Sequence, residues 1–583
     1  MSKRLLGAGA ALIAILVAVV ILSRRSDTPS PATPESPPFV ARPADFITDL
    51  DASETASSEA AGAVKAAFVS SFRDGKDEAA RAAFAPDFLA RFPAPLDGVA
   101  IPDARITIRR YPAAAGPDLD AQAFLSRLRS HLAGWVAVDR AVWRPYEFLI
   151  ARDRSFARAA VHLQLSGRRA DGHRADLRGS VAVELLPLRN WTIRRLEWLE
   201  GTRVEGNVPP FREITDPTGL HFNESPANRR RATEILNARM VRSLGGLSVV
   251  DWNRDGFHDL LATVWGRHTV LFLNDGQDGF VREELPLRTP EESADQYLFM
   301  DLDGDGLEEL VGALDTGSVA GIAQLPVWTR RDGSWIRLDD VLTYKLPAGV
   351  RDLRFQSISP CDIDRNGTMD LWVGVLTDSE SGKGGFNSVD ATDGADNLLF
   401  VNHGSLRFTE ESDQRGIRGT RYTYVGTWFD FDFDGDQDLL EINDWGKNQL
   451  FLNRGNGAFE EASGHPMVRP NAYSMGCTIG DWDNTGEWSV HISTMYSHAG
   501  NRIVPIAEAL APGTRALVHA IARGNYQWES AGGPWRETAL ARGCADADWA
   551  WGCIFVDLEN DGDKDLFVTN GFTSHEDANA PDW

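Results

Sequence analysis

The chain has 583 residues, and its 84 acidic side chains outnumber its 59 basic ones, which gives a formal net charge of −25 at pH 7. All of this excess lies in residues 206–583, which carry 60 acidic and 31 basic side chains, whereas basic residues slightly outnumber acidic ones before residue 206. A field this negative repels phosphate and therefore disfavours nucleic acid as a partner. Four cysteines in a chain of this length do not form a disulfide framework.

An unbroken apolar segment of 18 residues lies near the N-terminus, at positions 5–22, with Lys3 and Arg4 before it and Arg24 and Arg25 after it. Its length just meets that of a membrane-spanning helix. The residues that follow are a poor cleavage site, so residues 1–25 are predicted to form a transmembrane signal-anchor, with a cleaved signal peptide as the alternative. The flanking charges slightly favour a cytoplasmic N-terminus, which would place the bulk of the chain in the periplasm or outside the cell.

The next two segments differ in composition. Residues 26–45 are rich in proline and serine and are predicted to form an extended linker. From 46 to 205 the pattern becomes α+β, with Ala-rich helices predicted at 54–73, 76–91 and 118–133 ahead of long alternating strands. This order of elements resembles the cone-shaped NTF2-like (SnoaL-like) fold. The resemblance implies a module that holds a small ligand or serves only for dimerisation or spacing.

Three polar residues of this segment are candidate pocket residues: Asp139, His131 and His162. Their spacing demands no particular chemistry, and surface or satisfied side chains are the alternative interpretation. The sequence contains no nucleophile elbow, no Gly-rich phosphate loop and no His/Cys pairs at zinc spacing. We therefore predict no catalytic residues.

A Gly-centred acidic loop recurs six times in the remainder of the chain, always after an apolar run. Each copy has oxygen-bearing side chains at positions 1, 3, 5 and 9 around a glycine at position 6, and the copies begin at Asp251, Asp301, Asp362, Asp430, Asp481 and Asp557. Ca²⁺ takes six to eight oxygen ligands, and a tight glycine turn can aim alternate carboxylates at one ion. A single copy could be an ordinary Asx turn. A turn needs only one or two such residues, however, and the six copies predict about four or five Ca²⁺ ions.

Five of the loops carry a predicted ligand set at positions 1, 3, 5 and 9. The residues are Asp251, Asn253, Asp255, Asp259, Asp301, Asp303, Asp305, Glu309, Asp362, Asp364, Asn366, Asp370, Asp430, Asp432, Asp434, Asp438, Asp557, Glu559, Asp561 and Asp565. The sixth loop, at 481, has Thr485 and Ser489 at positions 5 and 9 and is predicted to be a structural turn. Divalent cations in the other loops would also offset the acidity of residues 206–583, although solubility alone could explain that acidity.

The loop starts are 50, 61, 68, 51 and 76 residues apart, and repeats of this length are typical of propellers or solenoids. Four short apolar runs surround the first loop, which predicts a four-stranded blade. An L-F-x-N pattern for the third strand recurs near 398–412 and 449–463, and the stretches at 311–350, 376–397 and 503–524 are predicted insertions between blades. The fold is therefore predicted to be mainly β, a β-propeller of six or seven blades.

One segment at 211–216 matches the fourth-strand pattern but has no loop before it. Either it completes the last blade and closes the ring, or the ring is incomplete. The last blade needs such a strand, because after the loop at 557 the sequence contains only one further strand-like run.

These loops, together with the runs MYSHAGNRI at 495–503 and WAWGCIFVDLENDGDKDLFVTNGF at 549–572, resemble a known family. Residues from about 211 to 583 are similar to the integrin-α-like propellers with FG-GAP/VCBS repeats, and more closely to the cartilage acidic protein 1-like (CRTAC1-like), ASPIC/UnbV-associated bacterial branch. The resemblance implies a propeller, usually seven-bladed, with Ca²⁺ in its loops and no established catalytic residues.

The favoured function is a membrane-anchored, extracytoplasmic, calcium-binding propeller that acts as a binding, adhesion or assembly scaffold for a protein or carbohydrate partner. Trp252, Trp428 and Trp482 stand beside the loops, where they are expected to pack between blades or, if exposed, to stack on sugars. The alternative is a periplasmic enzyme or enzyme subunit with a small-molecule pocket in the 46–205 domain. Converging acid and base groups in an apolar mouth would favour the enzyme.

Overall fold

The computed structural model describes residues 46, 50–64, 77–101, 106–187, 191–206, 213–221, 245–264, 268–285, 287, 296–313, 316–317, 321–383, 387–507, 510–530, 534–558, 560 and 562–571. The predicted transmembrane helix and linker, at 1–25 and 26–45, lie outside this set. Among the described residues, none of the helices has the length and apolar character needed to cross a membrane.

The N-terminal domain is built on one seven-stranded sheet. Its strands are β1 (Phe84–Arg91), β2 (Val99–Ile101), β3 (Ile106–Tyr111), β4 (Trp135–Ile150), β5 (Ala157–Arg169), β6 (Arg174–Leu186) and β7 (Thr192–Gly206). The order is β2-β3-β7-β6-β5-β4, and β1 pairs in parallel with the first half of β7. The long strands alternate buried and outward-facing residues, as expected for a sheet with one face on a core. An α+β domain is thus present where the sequence predicts one.

In the part of this domain that the structure describes there are three helices: α1 (Leu50–Val64), α2 (Asp77–Arg81) and α3 (Ala121–His131). The α3 helix matches the prediction for 118–133, and Asp120 caps it by accepting a hydrogen bond from the Ala123 N–H at 2.8 Å. The prediction of a helix over 76–91 is wrong beyond Arg81. Pro86 cannot donate a hydrogen bond inside a helix, and in strand β1 Phe84, Phe88 and Ala90 reach the core instead.

The rest of the chain folds into successive antiparallel sheets, and in each of them one acidic loop joins two neighbouring strands. The first sheet consists of β8 (Gly245–Val250), β9 (Asp259–Val264), β10 (His268–Asn274) and β11 (Phe280–Glu284), paired in chain order. These are the four strands predicted around the first loop. The second sheet consists of β12 (Gln296–Met300), β13 (Glu309–Ala313), β15 (Ile322–Arg331) and β16 (Ser334–Lys345).

The third and fourth sheets each gain a two-residue strand on their inner edge. The third contains β14 (Thr316–Gly317), β17 (Asp352–Cys361), β18 (Asp370–Asp378), β20 (Leu398–Asn402) and β21 (Phe408–Glu410). The fourth contains β19 (Ala395–Asp396), β22 (Thr420–Phe429), β23 (Asp438–Asp444), β25 (Gln449–Asn453) and β26 (Phe459–Glu461). A short separate pair is formed by β24 (Gly446–Lys447) and β27 (Asn471–Ala472).

The fifth sheet has four strands, and two strands of the last sheet are described. The fifth consists of β28 (Ser474–Gly480), β29 (Ser489–Thr494), β30 (Tyr526–Glu529) and β31 (Arg536–Glu537), and the sixth of β32 (Ala550–Val556) and β33 (Asp565–Asn570). Among the described residues of this region, five short helices lie between the strands: α4 (Thr215–Thr218), α5 (Ser412–Arg415), α6 (His498–Ile503), α7 (Pro512–Ala522) and α8 (Ala539–Arg542). All four cysteines are free thiols.

This mainly β arrangement of repeated four-stranded antiparallel sheets is consistent with a β-propeller, and we call the sheets blades one to six in chain order. The prediction that 311–350 is an insertion is wrong, since β13, β15 and β16 occupy most of it as blade two. Sequence reasoning missed these strands because blade two lacks the L-F-x-N pattern. The described residues of the stretch at 503–524 do lie outside the strands, and they contain the end of α6 at Ile503 and the whole of α7.

The segment at 213–221 lies against the first blade. A Cβ on Gly219 would approach the carbonyl oxygen of Phe280 to 2.7 Å, and a Cβ on Gly416 would approach that of Phe459 to 2.4 Å in the same way. Gly416 follows the outer strand of blade three and packs on blade four. By analogy with Gly416, Gly219 lies where a chain segment that follows the outer strand of the blade before blade one is expected. Residues 211–212 of the predicted closing strand lie outside the described residues.

Candidate metal centres in the acidic loops

The first aspartate of every loop organises the turn. In each of the six loops its Oδ2 accepts a hydrogen bond from the N–H of the glycine at position 6, at 2.9 to 3.0 Å. The glycines have φ between +81° and +97°, where a Cβ would be strained. Position 6 is therefore glycine for the reason that the sequence suggests.

The acid at position 9 is the most deeply buried member of the set. Asp259, Glu309 and Asp438 have no exposed surface, and each accepts the N–H of the residue at position 2, at 2.8 to 2.9 Å. In blades three and four, Asn402 and Asn453 donate their backbone N–H to the other oxygen, both at 2.7 Å. These contacts join the loop to the second and third strands of its own blade.

Burial and crowding by like charges make this acid costly to ionise. Burial raises the pKa of Glu309 to about 7, and the neighbouring Asp303 and Asp305 add to the effect. The pKa of Asp438 is raised to about 7 and that of Asp370 to about 6 for the same two reasons. A nearby cation would favour the charged form at each of these positions.

In three loops the structure brings the carboxylates of positions 1, 3 and 9 together. One oxygen from each residue lies within 4.8 Å of the others in the sets Asp301–Asp303–Glu309, Asp362–Asp364–Asp370 and Asp430–Asp432–Asp438. In the second set, the Oδ1 atom of Asp364 is buried and has no hydrogen-bond partner. A carboxylate oxygen in that state is costly unless a cation or water binds it. These donors fit a hard divalent cation.

The side chains at position 5 do not join these sets. The Oδ1 atoms of Asp255, Asp305, Asn366 and Asp434 accept hydrogen bonds from the N–H of position 7, at 2.7 to 3.0 Å. This is the Asx-turn geometry that the alternative interpretation expects. The structure thus divides the predicted set into a convergent part at positions 1, 3 and 9 and a turn-forming part at position 5.

The other loops differ from these three. In the first loop the Asn253 Nδ2 donates to Asp255 at 2.7 Å, and Asp251 and Asp259 make the usual backbone contacts. In the last loop Asp557 and Asp565 are described, whereas Glu559 and Asp561 lie outside the described residues. The loop at 481 keeps the turn, with Thr485 donating its hydroxyl to Asp483 at 2.8 Å. Its geometry agrees with a structural role.

One feature of the loops was not predicted. The carbonyl oxygen of position 2 accepts a hydrogen bond from the following blade in five consecutive loops. The donors to Trp252, Leu302, Ile363, Phe431 and Trp482 are, in that order, the side chains of Arg330, Asn402, Asn453 and Trp535 and the backbone N–H of Lys564. The recurring asparagine of the L-F-x-N pattern was the available sequence signal. The acidic loops are therefore also the points at which neighbouring blades are joined.

The tryptophans beside the loops agree with the packing interpretation where they are buried. Trp252 stacks on Trp335 and Phe299 of blade two, with ring centroids 4.8 and 5.5 Å apart. Trp428 donates its ring N–H to the Ser359 carbonyl of blade three at 3.4 Å. The guanidinium of Arg542 lies 5.0 Å from the Trp482 ring centroid.

The three polar candidates of the N-terminal domain do not converge. His131 is fully buried among Phe92 and Tyr111, its Nε2 lies 2.9 Å from the Pro93 carbonyl oxygen, and burial lowers its pKa. Asp139 forms an ion pair with Arg168 at 3.1 Å at the surface. His162 instead stacks on Tyr146, at 4.4 Å between centroids, and faces the propeller.

Comparison with known proteins identifies one repeat. An FG-GAP-like repeat matches residues 430–488, which span the fourth acidic loop and the following strands up to the fifth loop. None of the curated proteins matches the chain. The match covers one of the three loops with a convergent set, the one formed by Asp430, Asp432 and Asp438.

Several solved structures are similar at low identity. An apocarotenoid oxygenase from Synechocystis is 10% identical, with 70% of this chain and 80% of that chain covered at a TM-score of 0.30. AofleA from Arthrobotrys oligospora is 13% identical, with coverages of 57% and 88% and a TM-score of 0.21. The beta-fructofuranosidase of Schwanniomyces occidentalis is 10% identical, with coverages of 62% and 71% and a TM-score of 0.24. Scores this low carry no argument about function.

Proposed function

We propose that this chain is a calcium-loaded β-propeller scaffold whose loops bind Ca²⁺ and whose surface binds a protein or carbohydrate partner. The observation that carries the proposal is the repeated convergence of carboxylates from positions 1, 3 and 9 within 4.8 Å in three loops. Ca²⁺ prefers carboxylate, carbonyl and water oxygens. The fit is supported by the unpartnered Oδ1 atom of Asp364.

The stabilising role of the metal follows from charge. Each convergent set places three carboxylates close together, one of them buried, and a dication would remove most of their mutual repulsion. The same loops accept the donors that join neighbouring blades, at Leu302, Ile363 and Phe431. A bound ion would therefore stiffen the loop and the blade interface together, which is the property that a rigid binding scaffold needs.

The location belongs to the same proposal. The apolar segment at 5–22, between basic residues, is proposed to anchor the chain, with the propeller on the extracytoplasmic side. Extracellular calcium-binding modules work with weak sites, of about 10⁻⁴ to 10⁻³ M. Loops with three convergent carboxylates are suited to that range.

The enzyme alternative rests on the N-terminal domain. Its three candidates, His131, Asp139 and His162, point to a buried core, an exposed ion pair and the propeller, respectively. A general acid or base must lie within hydrogen-bond reach of a shared substrate. His131, Asp139 and His162 do not lie around a shared substrate position, so they do not provide an acid and base pair. We therefore propose the scaffold function.

The metal is tested by unfolding the full chain in excess chelator and in about 10 mM Ca²⁺, which is about one hundred times a Kd of about 10⁻⁴ M. A site occupied at about one hundred times its Kd adds about 2.7 kcal/mol to the free energy of unfolding, so several sites should raise the melting temperature clearly. Elemental analysis of protein dialysed to equilibrium against the same Ca²⁺ buffer should find more calcium than the buffer alone contains. Unchanged melting, or calcium at background level, would contradict the proposal.

A matched pair of variants locates the effect. Asp432 and Asp483 both occupy position 3 of their loops, and both lie near an arginine, Arg454 at 3.4 Å and Arg542 at 3.8 Å. Only Asp432 belongs to a convergent set. Asp432→Ala is expected to lose about one site's share of the Ca²⁺-dependent stability and Asp483→Ala to lose none. Equal losses would mean that the loops act only as turns.

A further inference from the structure

A second kind of side-chain cluster lies between the N-terminal domain and the propeller. It consists of His162 on β5, His498 at the start of α6, and Asp546 in the loop before β32. One possible ligand atom from each residue lies within 4.8 Å of the other two. The three residues are far apart in the sequence, which is why their relation was not predicted.

The surroundings of the cluster are aromatic and partly shielded from water. Tyr146 stacks on His162, and Tyr496 contacts the edge of His498 at 4.8 Å between centroids. The side chain of His498 is 18% exposed and that of Asp546 is 43% exposed. The site is therefore enclosed on the histidine side and open to solvent on the aspartate side.

The hydrogen bonding of His498 is incomplete. Its Nδ1 atom is buried and has no hydrogen-bond partner. Its Nε2 atom lies 3.0 Å from the Arg144 guanidinium and 3.9 Å from an Asp546 oxygen. Because a guanidinium only donates, Nε2 is the acceptor nitrogen of a neutral imidazole, and it is the nitrogen that a metal ion would bind.

We propose that His162, His498 and Asp546 form a binding site for a divalent transition-metal ion of the zinc type, which links the N-terminal domain to the propeller. Two imidazoles and one carboxylate are a donor set that such ions bind, with positions left for water. The set differs from the all-oxygen loops, which suit a hard ion. One chain would thus hold two classes of metal site.

The guanidinium of Arg144 competes with a metal ion for the Nε2 atom of His498. It lies beside the Nε2 of His498 and 3.3 Å from the Oδ1 of Asp548. A dication bound at the cluster takes the place of the guanidinium at the imidazole, and Asp548 remains as the partner of Arg144. The two aspartates and two nearby arginines, Arg140 and Arg144, leave the site close to neutral before the metal binds.

The test uses the full chain, purified in detergent, stripped of metal and then held in saturating Ca²⁺ so that the loops are occupied. Zn²⁺ is titrated by calorimetry, and Co²⁺ is added separately as a spectroscopic probe of ligand geometry. We expect one Zn²⁺ per chain that Ca²⁺ does not displace. Absence of a Zn²⁺ equivalent under these conditions would overturn the proposal.

Variants assign the bound ion to the cluster. His162→Ala and Asp546→Asn are each expected to weaken Zn²⁺ binding about tenfold or more and to change the Co²⁺ absorption, while the chelator response of the loops stays the same. His173→Ala is the control, since this histidine lies in the same domain beside Asp171 and outside the cluster. Equal Zn²⁺ affinity in His162→Ala and His173→Ala would refute the assignment, and circular dichroism checks that each variant is folded.

Discussion

The fourth residue of each acidic loop has a left-handed backbone, although only one of the six is glycine. The φ angles lie between +53° and +78° at Arg254, Gly304, Arg365, Phe433, Asn484 and Asn560. This conformation costs a non-glycine residue about 1 kcal/mol or more. Three of these side chains use it to reach the next loop: Arg254 donates to the Gly306 carbonyl, Arg365 to that of Gly435 and Asn484 to that of Gly562.

The glycine at position 6 has no side chain that could form a hydrogen bond to the next loop. Its left-handed backbone predicts that an alanine at this position lowers the free energy of unfolding. Gly367 and Gly464 form a matched pair, because an added Cβ would meet no atom within 4 Å at either position. They differ in backbone conformation, since Gly367 has a φ of +86° and the φ of Gly464 lies outside the left-handed region. Gly367→Ala is expected to lower the free energy of unfolding by about 1 to 2 kcal/mol. Gly464→Ala is expected to be neutral or slightly stabilising, because alanine restricts the unfolded chain. Urea unfolding in chelator measures both, and equal values would argue against strain as the reason for glycine.

At the residue scale, the sequence predicts which residue types occupy the loop positions better than it predicts what each side chain contacts. The oxygen pattern and the glycine were visible because both recur at fixed offsets. The turn-forming role of position 5 was not, since Asp434 offers the same carboxylate whether it faces an ion or the Asp436 N–H. Position 4 was also invisible, because residues as different as Arg365 and Phe433 share one backbone conformation there.

At the scale of elements, the third strand of a blade is joined to the loop of the preceding blade by one buried asparagine. Asn453 is fully buried, and its Nδ2 donates to the Ile363 carbonyl at 2.9 Å and to the Gln437 carbonyl at 3.3 Å. Its backbone N–H bonds Asp438, and its Oδ1 accepts from Gly455. One side chain thus connects the loops of blades three and four.

Asn453→Asp keeps the shape and removes both donors. It leaves two buried carbonyl oxygens unpaired and adds an acid beside Asp438, so the free energy of unfolding is expected to fall by about 3 kcal/mol. Asn274→Asp is the matched control, because among the described residues its Nδ2 donates to the His258 carbonyl of its own blade, at 3.1 Å, and to no other blade. A loss of about 1 kcal/mol is expected there. Chemical unfolding compares the two, and a similar loss in both would mean that the contact between blades is not what matters.

The elements that the sequence predicted well are those with a strong local pattern. The four strands of blade one follow apolar runs separated by turn residues, and helix α3 begins at a capping aspartate. The failures have non-local causes. Strand β1 continues the Ala-rich stretch that predicts a helix and pairs with β7 from the far end of the domain, so its partner was not visible in its own sequence.

At the scale of the whole molecule, the contact between the two domains was beyond the reach of sequence reasoning. Arg144 on β4 reaches Asp548 and His498 of the propeller, and nothing in the local sequence of either region indicates this pairing. Such contacts depend on how the completed domains fit together. The net charge of residues 206–583 is a property of the same scale, because it adds over all blades regardless of their order.

That charge predicts how salt and calcium act together. With 60 acidic and 31 basic side chains in residues 206–583, the folded propeller repels itself when it lacks cations. Raising ionic strength from about 0.01 M to about 0.15 M shortens the Debye length from about 30 Å to about 8 Å. In chelator, sodium chloride is therefore expected to raise the melting temperature over this range.

In saturating Ca²⁺ the same salt series should have a smaller effect, because four or five bound ions would cancel about eight to ten charges. Differential scanning fluorimetry at matched pH, with potassium chloride as a second salt, separates screening from specific binding of sodium. Screening raises the melting temperature equally in the two salts, whereas a specific sodium site would raise it more in sodium chloride than in potassium chloride. Equal salt dependence with and without Ca²⁺ would show that the repulsion lies elsewhere on the molecule than at the loops.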